Sequence, residues 1–380
     1  MAGITWLHLS DWHQGAESFD RNLVQCDRDI VRQALLEDLK ERTNRISPDL
    51  AQVDFIVFSG DVAYSGKKEE YEDAKNFFNK VLEAVGLKGR EDRLFIVPGN
   101  HDLDRRKLEK YLPSALQKPP VSEESQDEAE ESQEINGWIK EWLEKEEDRH
   151  CLLTPFSAYR EFVTSYTGQK NPDYGSIHTI DVNGKQVALL GINSALMAGR
   201  NRQDEVLRDY GLLIAGKQQV IPSLEKIKSL EKIKSCDVRI AVLHHPFEWL
   251  CESDRNLIER SLKRDCHFIL RGHQHKAQAS QVFGTEGDCV IVSAGASFDR
   301  LEHPNGYNFV HLDLENGQGR VYLRRWEEGI GRWTKAPVPD ETGQYAFSLP
   351  KELVGHPPPR PSPRPSPPEL PGFLKDHYDK

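Results

Sequence analysis

One feature recurs along the chain and constrains it more than any other: a short apolar run that stops abruptly at a polar signature. The densest case is Leu94 to Asp104, Leu-Phe-Ile-Val-Pro-Gly-Asn-His-Asp-Leu-Asp. The uncharged run Leu94 to Val97, bounded by Pro98 and Gly99, reads as a buried strand delivering a turn. The turn presents Asn100, His101 and Asp102, an amide oxygen, an imidazole and a carboxylate that make a poor core and a good reaction site. Four other runs end in the same manner. Thr5 to Ser10 ends in Asp11-Trp-His13, and Val53 to Phe58 leads into Gly60-Asp61. Arg239 to Leu243 ends in His244-His245, and Cys266 to Leu270 in Gly272-His273-Gln-His275.

The segments between these runs supply helices. Arg21 to Arg45 carries Leu23, Ile30, Ala34, Leu35 and Leu39 at helical spacing, and Glu69 to Val85 carries Tyr71, Ala74, Phe78, Val81, Leu82 and Val85. A β-α-β-α-β order predicts a mainly parallel sheet covered by helices. Further helices are expected around Phe156 to Tyr166, over Lys217 to Ser235, and over Asp254 to Lys263 with Ser253 as N-cap. Ser176 to Asp181, Gln186 to Ile192, Cys289 to Ser293, Tyr307 to Leu314 and Arg320 to Arg325 read as strands, the last three as an antiparallel finish. The second half is thus expected to form its own sheet, packed on the first. Strand C-termini gather at one edge of an α/β sheet, so the five signatures should converge there. Asn193-Ser194 follows a strand as well; it reads first as turn chemistry, with a polar side chain reaching the pocket as the alternative.

A length of 380 residues is ample for a large core, and the mean hydropathy of −0.64 is that of a polar chain. No run approaches the roughly 18 apolar residues of a membrane span, and Met1 to His8 lacks the pattern of a leader. Cys26, Cys151, Cys236, Cys251, Cys266 and Cys289 are scattered, the usage of reduced thiols in a cytoplasmic protein. The net charge of −11 opposes non-specific nucleic-acid binding, although part of it is segregated into Glu123 to Glu134. After that acidic run, Ile135, Trp138, Ile139, Trp142 and Leu143 read as a helix covering the core, with a lid or docking face as the alternative. Ser-Leu-Glu-Lys-Ile-Lys occurs at Ser223 and again at Ser229, a local duplication on a helix. From Gly355 the chain becomes a polyproline-type spacer. Ser366 and Leu370 occupy the final proline positions of RxxPxxP, which favours a linker over an SH3 ligand.

The ordered set Asp11-x-His13, Gly60-Asp61, Gly99-Asn-His-Asp102, His244 and Gly272-His-Gln-His275 resembles the calcineurin-like metallophosphoesterase superfamily over Ile4 to Trp333. The resemblance implies an α/β fold, a four-layer α-β-β-α sandwich of two mixed sheets flanked by helices, and a dinuclear site. Asp11, His13, Asp61 and His275 would hold one ion; Asp61, Asn100, His244 and His273 would hold the other, with Asp61 bridging. Imidazole, carboxylate and amide ligands without thiolate suit manganese, with iron or zinc as alternatives. Two such ions activate water and stabilise in-line displacement at phosphorus. His101 is placed to protonate the leaving oxygen, the alternative being a structural imidazole. His245 would orient phosphate, and the order within the His244-His245 doublet is left open.

Departures from the family's branches narrow the substrate. Tyr64 and Ser65 stand where protein phosphatases have the Asp supporting the histidine and a phosphate-binding Arg. Gly60-Asp61-x4-Gly66-x3-Glu70-Tyr71 looks like the cyclic-nucleotide phosphodiesterase branch, and Ser10-Asp-Trp-His-Gln-Gly15 like the opening of the DNA-repair nucleases. Pro155-Phe-x-x-Tyr159, Gly191-Ile-Asn-Ser194, His244-His-Pro-Phe-x-Trp249 and Asn305-Gly-Tyr-Asn308 resemble bacterial phosphoesterase domains fused to signalling or defence modules. The expected layout is a phosphoesterase domain over 1–335 with an insertion at 113–150, an extension over 336–354 and a tail over 355–380. The expected activity is a phosphodiesterase acting on nucleotides or nucleic acid, with a phosphomonoesterase on a small ester and an idle sensor or binding module as alternatives. A signalling or defence module beyond the linker is the expected partner.

Overall fold

The first strand expected from the sequence lies at the middle of a seven-stranded sheet. β1 (Gly3–Leu9) pairs in parallel with β2 (Phe55–Phe58), and β2 in parallel with β3 (Leu94–Ile96). The computed structural model describes residues 3–16, 21–111, 134, 137–142, 144–200, 202–203, 206–207, 209–231, 236–283, 288–299, 304–337, 342–350 and 353. The acidic run before Glu134, Ile135, Leu143 and the proline-rich tail lie outside them.

The second sheet starts with β4 (Ser176–Val182) and β5 (Lys185–Ile192), an antiparallel hairpin. β6 (Arg202–Gln203) and β7 (Val206–Leu207) form a separate minimal ribbon. β8 (Val238–Leu243), β9 (Phe268–Arg271), β10 (Gln278–Val282) and β11 (Cys289–Ser293) complete the six-stranded order β10-β11-β9-β8-β5-β4.

The expected antiparallel finish holds for its last two strands, which pair with each other, but they join the first sheet instead of completing the second. β11 pairs in parallel with β9, whereas β12 (Gly306–Asp313) returns to the first sheet and runs antiparallel to β1. β13 (Gln318–Glu327), β14 (Arg332–Lys335) and β15 (Gln344–Ser348) join it there. The physical reason is that β2 covers only one side of β1, whose other edge needs ladder partners. Segment 336–354, read as an extension, thereby contributes a strand to this sheet.

Alternation along the strands separates two faces. Trp6, Phe55, Val57 and Phe95 of the first sheet meet Leu189, Val242, Phe268 and Leu270 of the second. On the outer face of the first sheet, Leu7, Leu9, Ile56 and Phe58 pack under α1 (Arg21–Lys40) and, beyond the short α2 (Arg42–Arg45), under α3 (Lys68–Val85). α3 buries Phe77, Phe78 and Val81 and stops at Gly86, whose φ of 87° is left-handed. α4 (Arg105–Tyr111), α5 (Glu146–Leu153) and α6 (Ser157–Thr167) come next along the chain. The outer face of the second sheet is covered by α7 (Lys217–Glu231) and α8 (Glu252–Asp265), through Leu224, Ile227, Ile258 and Leu262. The layers are helix, sheet, sheet, helix, as expected.

Two local expectations change. α8 is capped by Cys251, in extended backbone, and begins one residue before Ser253, which is buried inside it; the acidic Glu252 and Asp254 occupy its first turn. Residues 137–142 are helical, with Ile139 buried against Leu152, Leu196 and Met197 and with Trp138 and Trp142 lying on the helical side of the second sheet. That is the core-covering placement.

Candidate metal centre

All five polar signatures leave their strands at the same edge, and main-chain bonds join the first to the second and the fourth to the fifth. Asp11 N–H donates to the Gly60 carbonyl at 2.9 Å, His13 N–H to the Asp61 carbonyl at 3.0 Å, and Gly272 N–H to the His244 carbonyl at 3.0 Å. The turns are tight. Among the described residues seven non-glycine residues have positive φ, and five of them are Asp11, His13, Asp61, His273 and His275. Such strain concentrates where a backbone is held for function. Gly60, at φ 102°, leaves no room for a Cβ against the His244 ring, and a Cβ on Gly99 would collide with the Asp61 carboxylate. Both signature glycines are therefore demanded by close approach.

The converging donor atoms form two groups around Asp61. Its Oδ2 lies 3.2 Å from His13 Nε2 and 3.2 Å from His244 Nε2, while Oδ1 accepts the His101 N–H at 2.8 Å. On one side, Asp11 Oδ1 is 3.9 Å from His13 Nε2 and 3.2 Å from His275 Nε2. On the other, His273 Nδ1 is 3.2 Å from His244 Nε2, and Asn100 Oδ1 is 3.2 Å from His245 Nε2. Ligand atoms of Asp11, His13 and His275 lie within 4.8 Å of one another, as do those of His244, His245 and His273.

Hydrogen bonds behind the rings set which nitrogen faces inward. His244 Nδ1 bonds the Ser59 carbonyl at 2.7 Å, and His101 Nδ1 bonds the Tyr64 carbonyl at 2.8 Å. A carbonyl only accepts, so both rings carry a proton on Nδ1 and turn Nε2 toward the centre. His275 Nδ1 is paired with Asp299, a carboxylate–imidazole arrangement that supports a metal ligand. His245 Nδ1 meets the Ser194 hydroxyl at 3.0 Å. Of the histidine doublet, His244 reaches Asp61 Oδ2 and His245 reaches Asn100.

The electrostatics ask for cations. Asp11 and Asp61 are buried, and Asp11 Oδ1 has no hydrogen-bond partner. Burial opposes their charge, yet the surrounding imidazoles hold both carboxyls below the usual range. Burial likewise opposes a charged His275 and His244, but Asp11 and Asp299 lift the former to about 11, and Asp61 and Asp11 lift the latter to about 9. Burial, and next the charge of Asp61, push Asp102 up to about 7. A buried carboxylate oxygen that makes no hydrogen bond, set among inward-facing imidazole nitrogens, fits a divalent ion.

Several supporting roles carry no signal in the sequence. Asp102 accepts the N–H groups of Asp61 at 2.9 Å, Ala63 at 3.0 Å and Gly99 at 2.9 Å, and the Tyr71 hydroxyl at 3.0 Å, so it ties two signature loops together. Arg28 donates to the carbonyls of Trp12 and His13, each at 2.8 Å, and lies over the Trp12 and Phe298 rings. Asn305, which opens the Asn-Gly-Tyr-Asn motif, accepts the Asp299 N–H at 2.7 Å and so holds the carboxylate behind His275. Tyr159, which closes the motif beginning at Pro155, donates to the carbonyl of Ile96 at 3.0 Å. Asn193 is not brought to the centre: its side chain donates to the Asp173 carbonyl and accepts the Ala195 N–H, each at 2.9 Å, which is turn chemistry.

A family model described as calcineurin-like phosphoesterase matches residues 4–277, and the chain belongs to that family. It is a hydrolase of the metallophosphoesterase superfamily. The uncharacterized metallophosphoesterase-like protein YydB of Bacillus subtilis (strain 168) is 24% identical over 337 residues, 87% of this chain and 61% of that protein. The chain thus spans less than two thirds of that relative's length. Among solved structures, a structure of PhoD aligns at 10% identity over 92% of this chain and 70% of that one, with a TM-score of 0.48. A predicted phosphoesterase from Streptococcus pneumoniae TIGR4 aligns at 10% identity over 92% and 99%, with a TM-score of 0.31. Among the described residues no helix is long and apolar enough to cross a membrane.

Proposed function

We propose that the chain is a phosphodiesterase of nucleotides or nucleic acid that works with two divalent ions, manganese first, iron or zinc as alternatives. The observation that carries this reading is Asp61 Oδ2, 3.2 Å from an imidazole nitrogen of each donor group. Asp11, His13, Asp61 and His275 would hold one ion, and Asp61, Asn100, His244 and His273 the other. When bound, such a pair supplies a water acidified toward neutral pH and neutralises charge developing on the phosphoryl oxygens.

The chain's own residues supply the rest. His101, its Nδ1–H fixed on the Tyr64 carbonyl, directs Nε2 at the centre, where the doubly protonated ring would give its Nε2 proton to the oxygen that leaves phosphorus. The aspartate missing at position 64 is thus replaced by a main-chain carbonyl of the same residue. His245, held by Ser194 and facing Asn100, would orient a phosphoryl oxygen. A diester is favoured over a monoester by position 65. Ser65 stands where an anchoring arginine would meet a dianion, and its hydroxyl is spent on Glu70 at 2.6 Å. A monoanionic diester needs that anchor least.

The test is incubation of circular single-stranded DNA and of a cyclic-nucleotide panel with the protein in Mn²⁺, beside Asp61→Ala. Linearised circles or hydrolysed cyclic nucleotide with the wild type alone supports the proposal. Turnover of p-nitrophenyl phosphate, with every diester left intact, overturns it in favour of a monoesterase.

A further inference from the structure

From His273 outward, aromatic rings continue the centre toward solvent. Trp249 meets the His273 ring edge-on, with centroids 4.0 Å apart at 85°, and lies 5.7 Å from His245. Tyr210 in turn meets Trp249 edge-on at 5.4 Å and 81°. Tyr210 is 65% exposed, whereas most large aromatics of this chain are buried. The pair is held in place by main-chain bonds: Leu213 N–H donates to the Trp249 carbonyl at 3.0 Å, and Cys251 N–H to the Leu213 carbonyl at 2.8 Å. The loop carrying Tyr210 is therefore fastened to the turn Phe247–Trp249, which comes directly after His244-His245-Pro246.

We infer that Trp249 and Tyr210 form a stacking platform for the nucleobase next to the scissile phosphate, so that the substrate, a phosphodiester as proposed above, is base-bearing and its base identity matters little. Trp249 packs on the apolar cluster that includes Leu213 and Leu250 but is not fully buried, and the ring beside it, Tyr210, faces water. A phosphate seated at His273 would have its sugar and base beside the rings that follow His273 outward. Stacking suits this geometry because every base has a π-face, and it needs no directional polar group from the protein.

The experiment compares eight-residue oligothymidylate with a chain of eight abasic units carrying the same phosphates, both in Mn²⁺, reading the ratio of kcat/KM values. Bis(p-nitrophenyl) phosphate serves as a third substrate. The wild type is expected to prefer the thymidylate. Tyr210→Ala is expected to cut that preference about 5- to 100-fold, and Tyr210→Phe, which keeps the ring, to retain it. An equal preference in wild type and Tyr210→Ala overturns the inference. Cleavage of bis(p-nitrophenyl) phosphate with neither chain cut overturns the platform alone. No cleavage of any of the three overturns the phosphodiesterase reading together with it.

Discussion

Replacing Arg28 by methionine isolates what holds the first signature in shape. Arg28 is 1% exposed, and its two guanidinium bonds go to the carbonyls of Trp12 and His13, the loop that bears Asp11 and His13. Asp11 and His13 sit at φ 53° and 49°, a conformation that costs about 1–3 kcal/mol each for a residue with a Cβ. Each charge-assisted bond from Arg28 contributes about 1.5–3 kcal/mol, so the pair is of the same size as the strain it opposes. Methionine keeps an apolar stem between Trp12 and Phe298 and removes the guanidinium, its bonds and its charge over the two rings. The loop should then relax, and the donor set Asp11, His13 and His275 should lose about 10- to 100-fold in metal affinity, while His244 and His273 keep theirs. Manganese titration against a competing chelator reads this as one weakened and one retained equivalent, with urea unfolding confirming the fold. Two equivalents bound as tightly as in the wild type would refute the reasoning.

Asp102→Ala strands the N–H groups of Asp61, Ala63 and Gly99 in the interior at about 1–3 kcal/mol each; elemental analysis should find little metal in the purified variant, and a full complement would contradict the role. His101→Ala should keep its metal and lose about 10²- to 10⁴-fold in turnover, a result checked by steady-state kinetics beside elemental analysis. Asp254 is buried, accepts the N–H groups of Ala215 and Gly216, and is raised by burial to about 6. Its folded pKa lies above the ordinary value of 3.8, so the native state holds the extra proton and this contribution is lost as pH rises from about 4 to 6. The stability of Asp254→Asn relative to wild type should rise across that window by up to about 3 kcal/mol, measured by urea unfolding at each pH; a constant difference would count against it.

The part of the site legible in the sequence is the part set directly after a strand. Asp11, His13, Asp61, Asn100, His101, His244, His273 and His275 sit within a few residues of a buried run, so strand direction alone brings them to one edge. The layers were legible for the same reason, because periodicity reports which faces are apolar. Sheet membership was not, since a largely buried strand such as β12 carries the same pattern whether it closes β1 or lies beside β9. The supports were hidden by another cause. Arg28 lies on a helix 15 residues from His13, and Asp299 and Asn305 lie beyond every signature, so their roles exist only after the chain has closed. Asp102 shows how far a motif reaches. As a carboxylate beside His101 it reads as part of a reaction site, yet both its oxygens are turned to main-chain N–H groups from the two signature turns. Its burial and negative charge are tolerable because those donors and the phenol of Tyr71 surround it. The same carboxylate therefore fixes Asp61 in the left-handed backbone that aims one oxygen at both donor groups. The atom 3.2 Å from both His13 and His244, Asp61 Oδ2, is thus positioned by a residue that belongs to none of the His and Asp groups able to hold an ion.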